Sequence, residues 1–335
     1  MKKSLLCITT CKRLPVLKSI LPDYIAFCND NPAYDFLVSL DGEEKTYLDF
    51  FNKFDIPAIY SENQEGVGLS KNRVLKTFPD YDYYFFIDDD VELVDHSIFD
   101  IHINLSAKTG IHHFSSGETH QFFGNNKETQ VENFTIIHSD FGSGAFNFFT
   151  AEGLKKVGGW HTEFAKYKRF GHTEHSYRFL TNGLAPSPFN FIINTGNHIT
   201  VNHPDHVVDP DGYRTGDGGI AQVENEIIKK RLSYCPFNTL CRYHYNGKPL
   251  SLKIKNFHYI QTRGSQNILV KMQHNPFLSI NEKYLLLEKE HSRLQSKNET
   301  LENQMEQIHQ SISFKMIRRI VESVSHVNNW FSKKL

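Results

Sequence analysis

Apolar and polar positions follow two alternating periods along the first hundred residues. Short apolar runs, typical of buried strands, cover residues 5–10, 35–40, 56–60 and 83–87. The segments between them have apolar positions three or four residues apart, which predicts helices over 14–28, 45–54 and 68–78. Strands that alternate with helices form parallel sheets covered by helices. The pattern therefore predicts an α/β fold with a mostly parallel sheet.

The pattern becomes mixed in the middle of the chain. A strand is predicted over 141–150, followed by a short helix over 151–157 that ends at a Gly-Gly pair. Residues 194–219 are rich in His, Asp, Gly and Pro and predict a loop. We therefore expect a core domain over residues 1–210. Residues 211–275 are predicted to add a flexible loop and a C-terminal extension of that domain.

A seven-residue repeat begins near residue 281. One seam consists of apolar side chains, Leu287, Leu294, Leu301 and Ile308, and a second seam consists of Tyr284, His291, Asn298, Met305 and Ile312. Nearly four heptads predict a coiled coil over 276–312 that joins copies of the chain. A buried Asn is best satisfied by its own twin, so Asn298 favours a parallel dimer. A single long helix packed on its own domain is the alternative.

The last segment, 313–335, is basic and amphipathic. It contains five Lys or Arg residues against one acidic residue, together with Trp330 and Phe331. A helix of this kind can lie on an anionic membrane surface, or it can dock on a protein domain, and both readings stay open. No apolar run in the chain approaches the roughly 20 residues of a membrane-spanning helix.

Overall charge and cysteine usage exclude several classes of protein. The 335 residues include 37 Lys and Arg against 38 Asp and Glu, and this balance argues against a general nucleic-acid binder. Five cysteines without a Cys-x-x-Cys pair indicate reduced thiols. The apolar stretch after Met1 is too short for a signal peptide. We expect a cytoplasmic protein, which the basic tail could bring to the inner face of the membrane.

The fourth apolar run ends in three consecutive carboxylates, Asp88, Asp89 and Asp90. Buried carboxylates are costly unless a cation neutralises them, and ligands of α/β sheets bind at the carboxyl ends of the strands. Asp88 and Asp90 point the same way on an extended chain. Their hard oxygens suit Mg²⁺ or Mn²⁺, ions that also bind diphosphates. A solvated acidic turn is the alternative.

Four motifs in order over residues 4–95 resemble the GT-A glycosyltransferases, especially family 2. They are Thr9-Thr10-Cys11-Lys12-Arg13, Asp41, the segment 65–73 and the acidic triplet. The segment 65–73 is similar to the family's Gly-x-x-x-Ala-Arg-Asn helix start, with Ser70-Lys71 in place of Ala-Arg. The resemblance implies a nucleotide-sugar donor, with a UDP-sugar as the first candidate. The residues that it implies as donor contacts are Thr9, Thr10, Arg13, Asp41, Gly68, Lys71, Asn72, Asp88 and Asp89.

The second half of the chain extends this resemblance to the acceptor side. Residues 142–149 and 154–160 are similar to the family's acceptor-side strand, helix and Gly-Gly-aromatic turn. Trp160 would then be either a platform for a sugar ring or a core tryptophan. Residues 169–178 resemble a block of chondroitin-polymerase-like enzymes but lack its Glu-Asp pair.

That block implies a general base and acceptor contacts. Glu174 is the first choice for the base, and His172 or His175 is an acceptor contact or the alternative base. Arg178 is expected to bind the acceptor. A neutral imidazole has a suitable ordinary pKa, whereas a carboxylate needs burial to raise its pKa. Each of these histidines could equally be a solvated or helix-capping side chain.

Three histidines within nine residues, His198, His203 and His206, follow this block. Metal-dependent relatives use a histidine at about this distance as a third ligand. The resemblance therefore implies a Mn²⁺ or Mg²⁺ site made by Asp88, Asp90 and His203, with His198 as the next choice. A polar loop that contains histidines by chance is the alternative.

Together these features predict a metal-dependent, inverting glycosyltransferase that acts on a hydroxyl of a glycan or glycolipid acceptor in bacterial surface polysaccharide synthesis. One alternative is a nucleotide-sugar binding or scaffold protein that kept the fold and lost catalysis, which the missing Glu-Asp pair motivates. A metal-dependent hydrolase or nucleotidyltransferase is a further alternative, and the nucleotide-contact motifs make it the least favoured.

Overall fold

The computed structural model describes residues 2–116, 127–140, 142, 144–166, 171–195, 198–201 and 234–251. The strands in these ranges are β1 (Ser4–Thr10), β2 (Tyr34–Leu40), β3 (Ala58–Ser61), β4 (Tyr83–Asp88), β5 (Val91–Leu93), β6 (His113–Ser116), β7 (Lys127–Val131), β8 (Phe134–Ser139), β9 (Phe146–Thr150), β10 (Phe189–Ile192), β11 (Ile199–Val201) and β12 (Tyr243–Tyr245). The α-helices are α1 (Leu14–Asp30), α2 (Lys45–Lys53), α3 (Val67–Thr77), α4 (Ser97–Thr109), α5 (Ala151–Val157) and α6 (Gly171–Thr181).

The main sheet has seven strands in the order β12-β3-β2-β1-β4-β9-β6. Its four central strands β3, β2, β1 and β4 are parallel, whereas β12, β9 and β6 pair antiparallel with their neighbours. β1 and β2 are buried along their whole length, as expected for strands covered on both faces. The predicted α/β architecture with a mainly parallel central sheet is therefore confirmed. Because β1, β2 and β4 run the same way, their carboxyl ends meet at one edge of the sheet.

Seven of the described strands lie where the sequence pattern did not predict a strand, namely β5, β6, β7, β8, β10, β11 and β12. β11 falls inside the predicted loop over 194–219 and pairs antiparallel with β5, so the loop prediction is wrong at this point. β12 pairs with β3, and the side chain of Asn246 bonds Ala58 N and Ile56 O beside it. Three-residue strands carry too little periodicity to be read from sequence. The main sheet thus includes β12, which lies in the segment 211–275 predicted as an extension of the core domain.

Buried aromatic side chains account for much of the unusual phenylalanine content. The rings of Phe85, Phe99 and Phe148 pack beneath the sheet centre, with centroid distances of 5.0 Å and 5.1 Å from Phe85 to the other two. All three side chains are fully buried. The 27 phenylalanines of the chain therefore serve the core at least in part, and do not by themselves indicate a binding surface.

Two histidines of the core are fully buried and neutral. His102 bonds Ile98 O and the Ser116 hydroxyl, and His113 bonds Phe148 O and the Ser176 hydroxyl. Burial lowers the pKa of His102 to about 4 and that of His113 to about 3. Some of the chain's 18 histidines therefore have structural roles.

Replacement of His113 by Asn should make the free energy of unfolding depend less on pH below 6.5. The unfolded chain protonates His113 below its ordinary pKa of 6.5, whereas the folded chain does not, so stability falls as the pH drops below 6.5. Between pH 7.5 and 5.0 this linkage amounts to about 2 kcal/mol. In urea unfolding at the two pH values, the loss of unfolding free energy in the variant should be smaller than in the wild type by that amount. Ser176→Ala, which keeps the imidazole, should retain the full loss, and an equal loss in His113→Asn would contradict the prediction.

Several expectations fall outside the described residues. They are the coiled coil over 276–312, the basic helix over 313–335 and the metal ligand His203. Within the described ranges, none of the helices has the length and apolar character needed to cross a bilayer.

Candidate active site

A cleft lies at the edge of the sheet where the parallel strands end, and we call it the carboxylate cleft. It encloses about 330 Å³ and is lined by Thr9, Thr10, Cys11, Arg13, Asp41, Gln64, Gly66, Val67, Ser70 and Asp88. Five of these residues were predicted as donor contacts from separate motifs in the sequence. Ligands of open α/β sheets bind at this edge, so the cleft is the leading candidate for a binding site.

The three consecutive carboxylates at the end of β4 are held by different groups. Asp88 accepts a hydrogen bond from Thr9 Oγ1 at 3.1 Å. Asp89 is fully buried and accepts from Thr10 Oγ1 at 2.6 Å and from Arg13 Nη2. Asp90 accepts from Arg13 Nη1 at 3.0 Å. The pairs join the end of β1 to the end of β4 and shape the floor of the cleft.

Burial dominates the electrostatics of the triplet. It raises the pKa of Asp88, which the nearby Lys71 ammonium partly offsets, and it raises the pKa of Asp89 to about 7 in spite of Arg13. A side chain without exposed surface cannot contact a ligand in this conformation, so the predicted donor contact of Asp89 is not supported. Its place beneath Thr10 and Arg13 makes it a positioning group for both.

Asp88 and Asp90 fit a hard divalent cation. Asp88 lines the cleft, and Asp90 contacts Arg13, which also lines it. Mg²⁺ commonly takes one or two protein carboxylates and completes its shell with phosphate oxygens and water. In the part of the chain that the structure describes, no three His, Cys, Asp or Glu side chains converge as a metal site. The remaining ligands would therefore come from a diphosphate, from water or from residues outside that part.

The second candidate ligand, His198, directly precedes β11, which pairs with β5. Its Nε2 atom is 3.2 Å from Asp95 Oδ2, and its carbonyl accepts from the backbone N–H groups of Val94 and Asp95. Nε2, one of the two imidazole nitrogens that could bind a metal, thus already contacts a carboxylate. His198 is therefore tied to the β5 turn.

A buried ion network fixes the loop between β3 and α3. Arg73 has no exposed surface and lies between Asp41 and Glu65, at 3.0 Å and 3.5 Å. Asp41 also accepts from the backbone N–H groups of Glu65 and Gly66, and Glu65 accepts from those of Leu240 and Cys241. Gly66 has a φ of +93°, which other residues rarely adopt. Asp41 thus shapes the cleft wall as well as lining it.

Lys71 is a buried cation between the cleft and the core. Its ammonium lies 5.5 Å from the centre of the Trp160 ring and 5.9 Å from that of Phe86. Burial lowers its pKa, and the Asp88 carboxylate opposes this shift. The preceding Ser70 bonds the Ser39 hydroxyl at 2.7 Å and so attaches α3 to β2. Lys71 therefore supplies positive charge beneath Asp88.

Asn72 and Gly68 pack α3 against the turn at Trp160, and neither lines the carboxylate cleft. The Asn72 amide accepts from Trp160 N at 2.7 Å and donates to Trp160 O and Asn238 O, and it has no exposed surface. A Cβ atom on Gly68 would come within 3.0 Å of Trp160 Cβ. The Gly-x-x-x-Ser-Lys-Asn pattern thus seats α3 against the turn at Trp160.

A second cavity, the aromatic pocket, adjoins the carboxylate cleft. It encloses about 350 Å³ and is lined by Glu65, Gly66, Val67, Gly68, Leu69, Trp160, His161, Phe164, Ala165, Gly171 and His172. Gly66 and Val67 line both cavities, so a molecule in the cleft and one in the pocket would meet there. Most residues that line the aromatic pocket are apolar or glycine, and Glu65, His161 and His172 are its polar residues.

Trp160 forms the rear of this pocket and not a flat platform. Only 2% of the residue is exposed, and its ring stacks on His175 at a centroid distance of 4.0 Å. A sugar ring stacks on an open aromatic face, which His175 covers here. The core alternative for Trp160 therefore agrees better with the structure than the sugar platform.

The three residues predicted for catalysis have different surroundings. Glu174 is buried and pairs with Arg178, whose Nε is 2.8 Å from Glu174 Oε1, and Arg178 also donates to Val157 O and Gly159 O. His175 is fully buried and bonds Gly158 O at 2.9 Å. His172 alone of the three lines the aromatic pocket. Burial and the Lys71 charge lower the pKa of His172 to about 4, so its imidazole is neutral near pH 7.

Residues that the sequence motifs did not single out complete the two cavities. Gln64 donates to Cys11 Sγ at 3.3 Å across the carboxylate cleft, and His161 and Phe164 line the aromatic pocket. His161 directly follows the Gly-Gly-Trp turn, and this neighbourhood is a signal that could have indicated it. Phe164 lies in a short 3₁₀ turn, Thr162–Lys166, and no local pattern marks it.

Comparisons with known proteins give weak likenesses only. No family model and no curated protein matches the chain. Similar solved structures include S. aureus TarS (13% identity, TM-score 0.40, 52% of this chain and 33% of that chain). A second is the mannosyltransferase PcManGT from Pyrobaculum calidifontis in complex with GDP-Man and Mn²⁺ (11%, 0.40, 56% and 56%). A third is GalNAc-T7 with UDP, GalNAc and Mn²⁺ (11%, 0.42, 57% and 42%).

The chain spans less than two thirds of each of these three proteins. TM-scores below 0.5 at such identities establish neither a shared fold nor a shared activity. The function proposed below therefore depends on the residues of the two cavities.

Proposed function

We propose that the protein is a GT-A-type glycosyltransferase that moves a sugar from a nucleotide-sugar to an acceptor hydroxyl. A UDP-sugar is the first candidate for the donor. The observation that carries this proposal is the meeting of the two cavities at Gly66 and Val67. One cavity holds carboxylates and hydroxyls at the carboxyl ends of β1 and β4, and the other holds an apolar wall with a neutral imidazole. This is the arrangement that a charged donor and a sugar-like acceptor require.

The carboxylate cleft would bind the donor. Thr9, Thr10 and Asp41 offer hydrogen-bonding groups for a nucleoside, and Arg13 offers a guanidinium for the diphosphate. Asp88 and Asp90 would hold Mn²⁺ or Mg²⁺, which supplies Lewis-acid stabilisation of the departing nucleoside diphosphate when it is bound. Lys71 adds buried positive charge beneath Asp88.

His172 is the group best placed to take the acceptor proton. The acceptor oxygen attacks the anomeric carbon while the bond from that carbon to the phosphate oxygen breaks, and the proton passes to the imidazole. A single displacement of this kind inverts the anomeric centre. Glu174 cannot act in this way without leaving Arg178, so His172 takes the role for which Glu174 was the first choice.

The two candidate bases can be separated by paired substitutions. His172→Gln should lower kcat about 10²-fold with little change in stability, since it removes the proton acceptor at the pocket surface. Glu174→Gln should lower the melting temperature because it leaves Arg178 buried without its carboxylate. Initial rates and thermal melts of both variants test this. A large loss of kcat in Glu174→Gln at unchanged stability would assign the base to Glu174.

The experiment that tests the function itself is a donor screen. Purified protein is incubated with a panel of nucleotide-sugars, glycan acceptors and Mn²⁺, and release of nucleoside diphosphate is measured before and after EDTA. Acceptor-dependent release supports a glycosyltransferase. Tight donor binding without release of nucleoside diphosphate would identify a nucleotide-sugar binding protein. The pairing of Glu174 with Arg178 is the observation that favours this alternative.

The biological setting stays a prediction. A role in bacterial surface polysaccharide synthesis, a homodimer through 276–312 and membrane contact through 313–335 follow from sequence patterns alone. The donor screen combined with product linkage analysis would define the sugar and the bond that is formed.

A further inference from the structure

We propose that, in the absence of ligands, Arg13 occupies the metal-binding position on Asp90 and leaves it when the divalent cation and the donor bind together. This exchange rests on the function proposed above. In the described structure, a cation of the chain itself already bridges two of the three carboxylates at the end of β4. Nη1 of Arg13 lies 3.0 Å from Asp90 Oδ2, and Nη2 contacts Asp89 Oδ1. A metal ion on Asp90 would stand beside this guanidinium.

The Arg13 backbone is fixed while its side chain has room to move. Lys12 has a φ of +54°, a left-handed conformation that turns the chain directly after β1. The Tyr47 hydroxyl accepts from Arg13 N at 2.6 Å and also bonds Thr10. The Arg13 side chain, in contrast, is 33% exposed and lines the carboxylate cleft. An exchange therefore requires a change of side-chain rotamer and no rebuilding of the loop.

The two carboxylates differ in how firmly they keep Arg13. Asp89 is fully buried and has Thr10 and Arg13 as its hydrogen-bonding partners in the cleft floor. Asp90 lies closer to the surface and is the carboxylate expected to bind metal. A guanidinium carries five N–H donors in one plane. The group can therefore pivot about the contact between Nη2 and Asp89, which moves Nη1 from Asp90 to a phosphate oxygen.

The charge balance explains why the exchange needs the donor. When all three carboxylates are ionised, the cations Arg13 and Lys71 leave one unit of negative charge uncompensated. A divalent ion alone would reverse the sign and would lie next to the displaced guanidinium. A diphosphate that arrives with the ion restores the balance and accepts the freed Nη1. Metal and nucleoside diphosphate should therefore bind cooperatively, each strengthening the other by the same factor.

Removal of the guanidinium should tighten the binding of metal alone. In Arg13→Gln, Mn²⁺ without nucleotide should bind about tenfold more tightly than in the wild type, since the Arg13 guanidinium no longer competes for Asp90. The strengthening of Mn²⁺ binding by UDP should be correspondingly smaller in the variant. A residue that only supports the fold would weaken Mn²⁺ binding when removed, so a gain in affinity shows that the guanidinium opposes the metal. The smaller strengthening by UDP in the variant then distinguishes the exchange from charge repulsion alone.

Titration calorimetry of the full chain with Mn²⁺, with UDP and with each in the presence of the other provides the measurement. Arg242→Gln, an exposed arginine next to β12, is the matched control and should bind as the wild type does. If Arg13→Gln unfolds because Asp89 is left buried and unpaired, Arg13→Gln with Asp89→Asn removes that charge and should show the same gain.

The outcomes separate the exchange from the proposed function. Tighter Mn²⁺ binding in the Arg13 variants with weaker coupling to UDP supports the exchange. Wild-type binding of both ligands with no gain in either Arg13 variant overturns the exchange and leaves the function standing. Absence of Mn²⁺ and UDP binding in the wild type overturns both.

Discussion

Replacement of Asp88 by Asn is expected to lower the rate of nucleoside diphosphate release about 10³-fold. The loss corresponds to about 4 kcal/mol of transition-state stabilisation, the scale on which a bound metal ion acts on a leaving phosphate. Asn keeps an oxygen that accepts from Thr9, so the cleft should retain its shape. Initial rates at saturating donor and Mn²⁺ measure the effect.

Thermal melts of Asp88→Asn show whether a lower rate reflects lost chemistry or lost folding. Because burial raises the pKa of Asp88, a neutral side chain at this position should melt at or above the wild-type temperature. Asp82→Asn, at the opposite end of the same strand, is the control for a lost carboxylate away from the cleft and should leave the rate unchanged. A rate within threefold of the wild type in Asp88→Asn would remove this carboxylate from the proposed mechanism.

Arg73→Met should cause the largest loss of stability among single substitutions near the site. The arginine has no exposed surface, and its removal leaves the carboxylates of Asp41 and Glu65 buried without their cation. Breaking a buried pair in this way typically costs about 3 to 5 kcal/mol. Urea unfolding followed by circular dichroism gives the free energy, and UDP binding should weaken in parallel because Asp41 and Gly66 line the cleft.

A surface arginine provides the comparison for Arg73. Arg242→Met removes the same side chain from an exposed position and should change the free energy of unfolding by less than about 0.5 kcal/mol. A loss below about 1 kcal/mol in Arg73→Met would show that the two carboxylates find other partners, and the network would then not be what fixes the loop before α3.

Long elements and ordered motifs could be predicted from the sequence because their signals are local. The strands at 5–10, 35–40 and 83–87 and the helices between them were recognisable from period and apolar content, and the structure confirms them. Thr9 and Arg13, Asp41, and Asp88 were selected from three separate motifs, and the parallel sheet brings them to one cleft. Parallel strands share a carboxyl edge, so strand order alone implies that their terminal residues converge.

Residue type and spacing could not indicate which of the selected side chains are exposed to a ligand. Glu174 and His172 lie two residues apart at the start of α6, yet one is buried against Arg178 and the other lines the aromatic pocket. Asn72 belongs to the same motif as Lys71, but its amide is engaged by the backbone at Trp160. Such differences depend on partners 4 to 166 positions away in the chain.

The sequence by itself determined the α/β architecture, the acidic end of β4 and the set of polar residues at the strand ends, because each follows from a short run of residues. The tertiary structure decided that Trp160 is packed by His175, that His172 faces the pocket and that Arg13 occupies Asp90. The physical reason is that burial and ion pairing depend on which distant segments pack together, a property that no local period encodes.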